Sequence, residues 1–546
     1  MSLSKPFWTL LFFPIVLALF ACTSNDEEDE AAVTTILLSV LGSYESSIFD
    51  GSGAEIVAHD ASNQRLFVVN SGDTAVDVLD IRDPSTPILI DSIDASAEGG
   101  AANSVAVNNG LVAVAIQATP KTDAGKVVFY DSNDLSKQGE AAVGALPDMV
   151  VFTADGSKVL VANEGEPSDD YLTDPAGSVS IIDLSAGVAS AVVSTADFSS
   201  FDGSEANLRA QGIRIFGPNA SASKDFEPEY IALAADGKTA WVTLQENNAV
   251  AEVDITTSKV TAVLPLGLKN HANAGNELDA SNKDDTINIT NWPVFGMYQP
   301  DAIAAFSANG ANYYITANEG DARDYATWTE EFRIADLKLN AAAFPDASIQ
   351  DEDKLGRLRV TSTLGVSNGC DPSAISTDVE ADCEYSALHA FGTRSFSIWD
   401  TTGTMVYDSG SDLENLTAAA FPEAFNSSND SNQKDDRSDD KGPEPEGVTT
   451  GIVDGKTYAF IGLERIGGIM VYDISKPAMP DFVQYINNRD FTVADEDIED
   501  GSVGDLGPEG LLFIPAIDSP TNEPLLVVGN EVSGTTTLYR ISSVEP

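Results

Sequence analysis

Pro147-Asp148-Met149-Val150-Val151, then Val159-Leu160-Val161-Ala162-Asn163-Glu164, then Ser178-Val179-Ser180-Ile181-Ile182-Asp183 decide the fold. Each run is short, aliphatic or β-branched, and bounded by Gly, Asn, Asp or Pro, which is the pattern of strands joined by tight turns. The triplet recurs. Pro228-Glu229-Tyr230, Ala240 to Glu246 and Ala249 to Asp254 repeat it, as do Pro300-Asp301, Tyr313 to Glu319 and Ser395 to Asp400. Pro445-Glu446, Tyr458 to Glu464 and Gly468 to Asp473 form another set, and Pro508-Glu509, Leu525 to Glu531 and Thr535 to Arg540 the last. Two earlier sets run from Glu55 to Ile90 and from Asn103 to Asp131. Long helical periodicity is nearly absent.

Self-similar sets of three or four strands are the signature of propeller blades. Seven sets predict an all-β, seven-bladed β-propeller from residue 31 to 546. The last set lacks an outer strand, because six residues follow Arg540. The run Thr34 to Val40 can supply it, closing the ring and removing exposed sheet edges. Eight blades is the alternative, with Arg357–Thr363 and Tyr385–Phe391 as extra strands. Insertions fall near 198–225, 267–292, 326–354 and 412–442. Loops of that length in a compact domain are functional or disordered.

The chain of 546 residues carries 86 acidic against 29 basic residues, a net charge of -57, yet 43% of it is hydrophobic. The apolar share is enough to build a core. The charge disfavours nucleic acid and anionic lipid surfaces, which require clustered Lys and Arg, and favours divalent cations. Three Cys and three His exclude a Cys-rich zinc module and leave little for His-based metal sites.

Residues 1–21 read as a secretory signal: Lys5, an apolar stretch from Phe7 to Ala21 too short to span a bilayer, then Leu19-Phe20-Ala21-Cys22. That ending resembles the bacterial lipobox, which implies lipidation (palmitate among the acyl chains) at Cys22. Residues 22–30 form an acidic tether, and no Asp follows Cys22, which places the protein in the bacterial cell envelope on the outer membrane. Cys370 and Cys383 enclose a short loop and, outside the cytoplasm, are expected to form a disulfide.

Five sets open their first strand with Pro-Asp or Pro-Glu and close their second with Glu. The pairs are Asp148/Glu164, Glu229/Glu246, Asp301/Glu319, Glu446/Glu464 and Glu509/Glu531. Adjacent strands are antiparallel, so the start of the first and the end of the second share one mouth of the channel. Ten carboxylates there repel one another unless cations intervene. Oxygen-only ligands suit hard ions, calcium first; the alternative is that they cap strand ends. Asn163-Glu164-Gly165 and Asn318-Glu319-Gly320-Asp321-Ala322-Arg323 extend the pattern. Gly after Glu permits an unusual turn. Arg323, with Arg394 and Arg465 as second candidates, is placed to hold a phosphate oxygen or to pair with Asp321 or Asp324.

Leu146-Pro-Asp148 to Asp183, Gly296-Met-Tyr-Gln-Pro-Asp301, Phe391-Gly-Thr-Arg394-Ser-Phe, Lys441-Gly-Pro-Glu444-Pro-Glu446-Gly and Gly507-Pro-Glu-Gly510 together resemble the choice-of-anchor I family. The segment Glu446-Gly-Val and Leu463-Glu464-Arg465 is more loosely similar to phytase-like esterase propellers. The resemblance implies a secreted or surface β-propeller, and some members carry an alkaline phosphatase label. Two functions follow as expectations. One is a divalent-metal-dependent phosphoesterase with catalytic Arg323, Asp321 and Glu319. The other is a non-catalytic, calcium-stabilised module for a surface protein or glycan. In either case the protein is expected to be a monomer, held to the membrane through lipid at Cys22.

Overall fold

The computed structural model describes residues 35–370 and 383–544. The signal segment, the tether and Cys22 lie outside the described residues. The described chain folds into seven four-stranded antiparallel sheets, a five-stranded sheet and two small ribbons. The first strands of the seven sheets are Val57–Asp60, Ala102–Asn108, Pro147–Phe152, Ile231–Leu233, Ile303–Ala308, Pro445–Val453 and Pro508–Ile514. Each touches the next, and the seventh touches the first, so the sheets stand in a closed ring around a channel. This is a β-propeller.

Burial follows from that stacking. In the first sheet, Arg65–Asn70 and Ala75–Asp80 are buried almost throughout, whereas the outer strand Ile88–Asp94 is exposed except at Ile93. Middle strands are covered on both faces by neighbouring sheets, which is why they read as continuous apolar runs. Phe67, Val69 and Val78 of one sheet pack against Val105, Val114 and Val128 of the next. The recurrent Asp at the end of the third strand in the first six sheets has a local cause. Asp80, Asp131, Asp183, Asp254, Asp400 and Asp473 each accept a hydrogen bond from the backbone N–H two residues on, the Asx-type turn that reverses the chain into the outer strand.

Thr35–Glu45 is the outer strand of the last sheet, pairing antiparallel with Thr535–Val544 from Thr35 opposite Val544 to Glu45 opposite Thr535. Ile36 and Leu38 are buried between the sixth and seventh sheets, each contributing roughly 1.5–3 kcal/mol. Gln484 of the sixth sheet also bonds both the N–H and the carbonyl of Leu38.

Within each sheet the first strand leaves the mouth and the fourth returns to it. The insertions at 198–225, 267–292 and 412–442 and the long excursion after Glu319 therefore all rise from one end. They fold together. Leu268–Asn270, Phe295–Met297, His389–Ala390, Arg359–Thr361 and Glu331–Arg333 form the five-stranded sheet, with a parallel pair between Phe295–Met297 and His389–Ala390. The strand-like segments around Arg357–Thr363 and Tyr385–Phe391 thus belong to this sheet or its flanks, not to a further four-stranded unit. Leu278, Val294, Ile334, Leu355, Leu358 and Tyr385 give it a core. Cys370 and Cys383 are joined, with Cα atoms 5.2 Å apart. Segment 426–442, rich in Asp, Asn and Ser, is largely buried, with Asn426, Ser427 and Ser438 fully enclosed.

Candidate metal centre

A bulge sets the direction of the channel carboxylates. The first strands beginning at Pro147, Pro445 and Pro508 each slip register within three residues of the Pro. Two residues there oppose one on the partner strand, so Asp148, Glu446 and Glu509 leave the regular alternation, as bulges re-aim side chains elsewhere. Glycine then lets the ring close tightly. A Cβ at Gly447 would lie 2.1 Å from the carbonyl of Glu509, and one at Gly510 would lie 2.4 Å from the carbonyl of Glu55. Each Glu-Gly step is thus pressed against the acidic position of the next unit.

The ten carboxylates meet in one electrostatic field. Burial, then Glu246, Glu164, Asp301 and Asp148, push Glu229 well up. Burial, then Glu55, Glu531, Asp301 and Asp148, do the same to Glu509. Glu446 rises through burial and the charges of Glu464, Glu531, Glu319 and Glu509. Glu164, Asp301 and Glu464 are also raised well above the carboxylate range, burial first, and Glu246 and Glu531 are raised by the same leading cause. Burial and the charges of Glu55 and Glu166 bring Asp148 to about 7. Burial brings Glu55 to about 7 against the hydrogen bond from Ser71.

Five of the ten keep a buried oxygen with no hydrogen-bond partner: Oε2 of Glu229, Glu246, Glu446, Glu464 and Glu509. Strand-capping would have occupied those oxygens. Buried polar atoms are ordinarily paired, and these five oxygens have no partner among the described residues.

Among the described residues, two triads come within ligand reach. In Glu55/Glu509/Glu531 and in Glu319/Glu444/Glu464, one carboxylate oxygen of each residue lies within 4.8 Å of the others. Calcium holds oxygens at 2.3–2.6 Å, so oxygens on opposite sides of the ion stand about 5 Å apart, and both triads fit. They differ in charge. Glu444 already has basic partners in Arg437, Lys441 and Arg465. Against the cost of burial, Lys441, Arg437 and Arg465 hold its carboxyl well below the ordinary range. The first triad has no ion pair among the described residues and joins the first sheet to the last.

The three arginines singled out from sequence are placed as follows. Arg323, 3% exposed, donates Nη1 to Asp225 Oδ1 at 2.9 Å, Nη2 to the Asp225 carbonyl at 2.8 Å and Nε to Glu227 at 3.1 Å. Its guanidinium also lies 4.6 Å from the Phe216 ring centre. Its partners are thus Asp225 and Glu227, not Asp321 or Asp324, and its donors are committed to them. Arg394 bonds Glu414 and the carbonyls of Asp279, Ser438 and Asp440, tying three insertions together. Arg465 does stand among the carboxylates, 2.7 Å from Glu464. Lys441, bonded to Glu319 and 3.2 Å from Glu444, was not singled out. Asp321 is exposed at the mouth, and its carboxyl is pushed up to about 7, chiefly by desolvation among the neighbouring groups. Glu319 also accepts a bond from Gln245 at 3.0 Å.

A signal for the missed residues exists in the repeated Glu-Pro-Glu. In Glu227-Pro-Glu229 and Glu444-Pro-Glu446 the first Glu takes the basic partner, and the second has an orphan oxygen; Glu227 Oε1 is orphaned too. Gly165 and Gly320, after the recurrent Asn-Glu, adopt φ of 75° and 91°. A Cβ at Gly320 would strike the Gly392 backbone at 2.0 Å.

A choice-of-anchor I domain model matches residues 55–477. The chain belongs to the choice-of-anchor I family. Among curated proteins, this choice-of-anchor I chain is 30% identical to Gigasin-3a of Magallana gigas over 207 residues, covering 36% of this chain and 68% of that protein. It is 27% identical over 289 residues to the mesenchyme-specific cell surface glycoprotein of Strongylocentrotus purpuratus, covering 46% of this chain and 35% of that one, so it spans about a third of the sea-urchin protein. Among solved structures it is similar to the WD40 domain of Toxoplasma gondii coronin, at 9% identity and a TM-score of 0.42, covering 94% of this chain and 87% of that one. Among the described residues, no helix is long and apolar enough to cross a membrane.

Proposed function

We propose that this choice-of-anchor I propeller is a lipid-anchored surface module whose channel mouth binds a hard divalent cation, calcium first, at Glu55, Glu509 and Glu531. The observation that carries the reading is the set of buried carboxylate oxygens without partners, Glu509 Oε2 among them. The triad bridges the first and last sheets, so the ion ties the ring at its seam and stiffens the mouth for a protein or glycan partner. Anchorage through Cys22 to the outer membrane is part of the same proposal. The sea-urchin relative is a mesenchyme-specific cell surface glycoprotein by name, in keeping with a surface role. A ligand that binds only the folded state raises apparent stability, by about 2.7 kcal/mol at a concentration one hundred times Kd. Melting in calcium and in EDTA tests this, and equal melting temperatures would refute it.

A second reading, metal-dependent phosphoester hydrolysis, is favoured by one feature: Lys441 and Arg465 stand beside Glu319 and Glu464, where cationic groups can meet phosphate oxygens. In this reading they, rather than the enclosed Arg323 and Arg394, hold the phosphate, while Glu319 and Asp321 face the ion. Hydrolysis of a chromogenic phosphate ester by the purified domain, with calcium and with chelator, tests it. Absence of turnover on mono- and diesters leaves the binding module as the account.

A further inference from the structure

Beside the carboxylate mouth, a separate cavity of about 860 Å³ opens between the first insertion, the turn at Asn248 and Gly267–Leu268, and the excursion at Thr363–Gly365 and His389. Its lining inverts the character of the chain. The protein carries 86 acidic residues, yet the residues around this cavity include no Asp or Glu and do include Arg209, Arg214 and His389. Ile213, Ile215 and Phe216 supply a buried apolar wall, and Leu268 and Leu364 face them from other segments.

The polar groups divide by availability. Arg214 is committed: it is 4% exposed, pairs with the fully buried Glu330, and donates to the Glu246 carbonyl at 2.6 Å and to Thr363 at 3.0 Å. Arg209 is exposed, and only its Nε is used, on the Ile215 carbonyl at 2.7 Å. Its two terminal nitrogens have no hydrogen-bond partner among the described residues; the nearest carboxylate on its helix, Glu205, is turned to the N–H groups of Gly203 and Ala222. His389 is 8% exposed and stacks on Phe295, and its buried Nδ1 has no partner. Burial and Arg214 hold its pKa down to about 4, so the ring is neutral at physiological pH.

We propose that this cavity binds a small organic anion, a single carboxylate on an apolar body. The Arg209 guanidinium takes the carboxylate, and the wall of Ile213, Phe216 and Leu364 takes the body. The volume lies within the range of pockets that enclose small organic ligands. A planar fork of N–H donors matches a carboxylate in two parallel bonds. With Arg214 neutralised by Glu330 and His389 uncharged, Arg209 is the one cation of the lining left to a ligand, its charge shared in part with Glu205, which suits a monoanion over a phosphomonoester. The inference does not rest on the cation site.

Calorimetric titration of the full chain in EDTA, with naphthoate, naphthamide and naphthylmethylammonium as probes, tests it. Naphthoate is expected to bind with Kd below about 1 mM, about −4 kcal/mol. The amide is expected to bind at least about tenfold more weakly, since it lacks the charge-assisted pairing, and the amine not at all. Arg209→Glu, on an exposed helix face, should weaken naphthoate about tenfold with no change in melting temperature. Leu364→Trp, which fills the cavity, should abolish it. No naphthoate binding at millimolar concentration, equal affinity for the amide, or unchanged affinity in both variants would each overturn the proposal.

Discussion

Replacing Arg323 by alanine removes the group that neutralises two enclosed carboxylates. Asp225 and Glu227 are 0% and 1% exposed, and Arg323 is the cation that the ion pairs give each of them. Truncating one partner of a buried ion pair costs about 3–5 kcal/mol, because the other charge stays buried without compensation. The unfolding entropy of globular proteins, ~2.1 cal/mol/K per residue, gives roughly 1 kcal/mol/K for 546 residues. A loss of 3–5 kcal/mol therefore lowers the melting temperature by about 3–5 °C. Scanning calorimetry of Arg323→Ala against the parent chain reads this directly. Asp225→Asn should destabilise as well, and the double variant should fall short of the sum of the singles, because both break one network. Arg323→Ala melting within about 1 °C of the parent, or strict additivity with Asp225→Asn, would refute the view that this arginine holds the insertion to the channel mouth.

Three further outcomes are expected. Gly510→Ala, whose Cβ would meet the Glu55 carbonyl at 2.4 Å, should lower the urea midpoint by an amount equivalent to about 1–3 kcal/mol, and an unchanged midpoint would contradict the tight seam. Deleting Thr35–Glu45 exposes the edge of Thr535–Val544 and loses the burial of Ile36 and Leu38; faster proteolysis and a lower melting temperature should follow, worth several kcal/mol, about 1.5–3 for each of those two side chains. In chelator the melting temperature should fall between pH 5 and pH 8. Glu55 and Asp148 titrate near 7 in the folded protein but near 4 when unfolded, so the folded state holds more protons in that window and loses stability as pH rises through it. Calcium should flatten the fall, and a rise with pH in chelator would contradict the assignment.

The architecture was legible because a propeller writes itself repeatedly. Each middle strand is covered on both faces and must be apolar throughout, and six of the seven third strands end in an Asp whose carboxylate closes the next turn. The gathering of the ten carboxylates followed from antiparallel connectivity alone. The partners of Arg323 were not legible as partners: Asp225 lies 98 residues away at the end of an insertion with no period to align, and Glu227, 96 residues away, is marked by the repeated Glu-Pro-Glu but not by any sign of which cation it meets. Lys441 was hidden in a segment whose Asp, Asn and Ser content reads as solvent-exposed loop, although Ser438 and Asp439 around it are buried. The insertion sheet escaped notice because strands such as Phe295–Met297 and His389–Ala390 are too short to show alternation, and their parallel pairing joins segments far apart in the chain. The bulges that turn Asp148, Glu446 and Glu509 toward the channel could be placed only once the register was known.

The central claim, that the seam carboxylates bind a hard cation, is tested most directly by calorimetric titration of calcium into the chelator-stripped protein and into Glu509→Gln. The account predicts saturable binding to the parent, with proton release near pH 7. In Glu509→Gln the affinity should fall by at least about tenfold, equivalent to about 1.4 kcal/mol. No heat of binding to the parent, or the same affinity in Glu509→Gln, would contradict it.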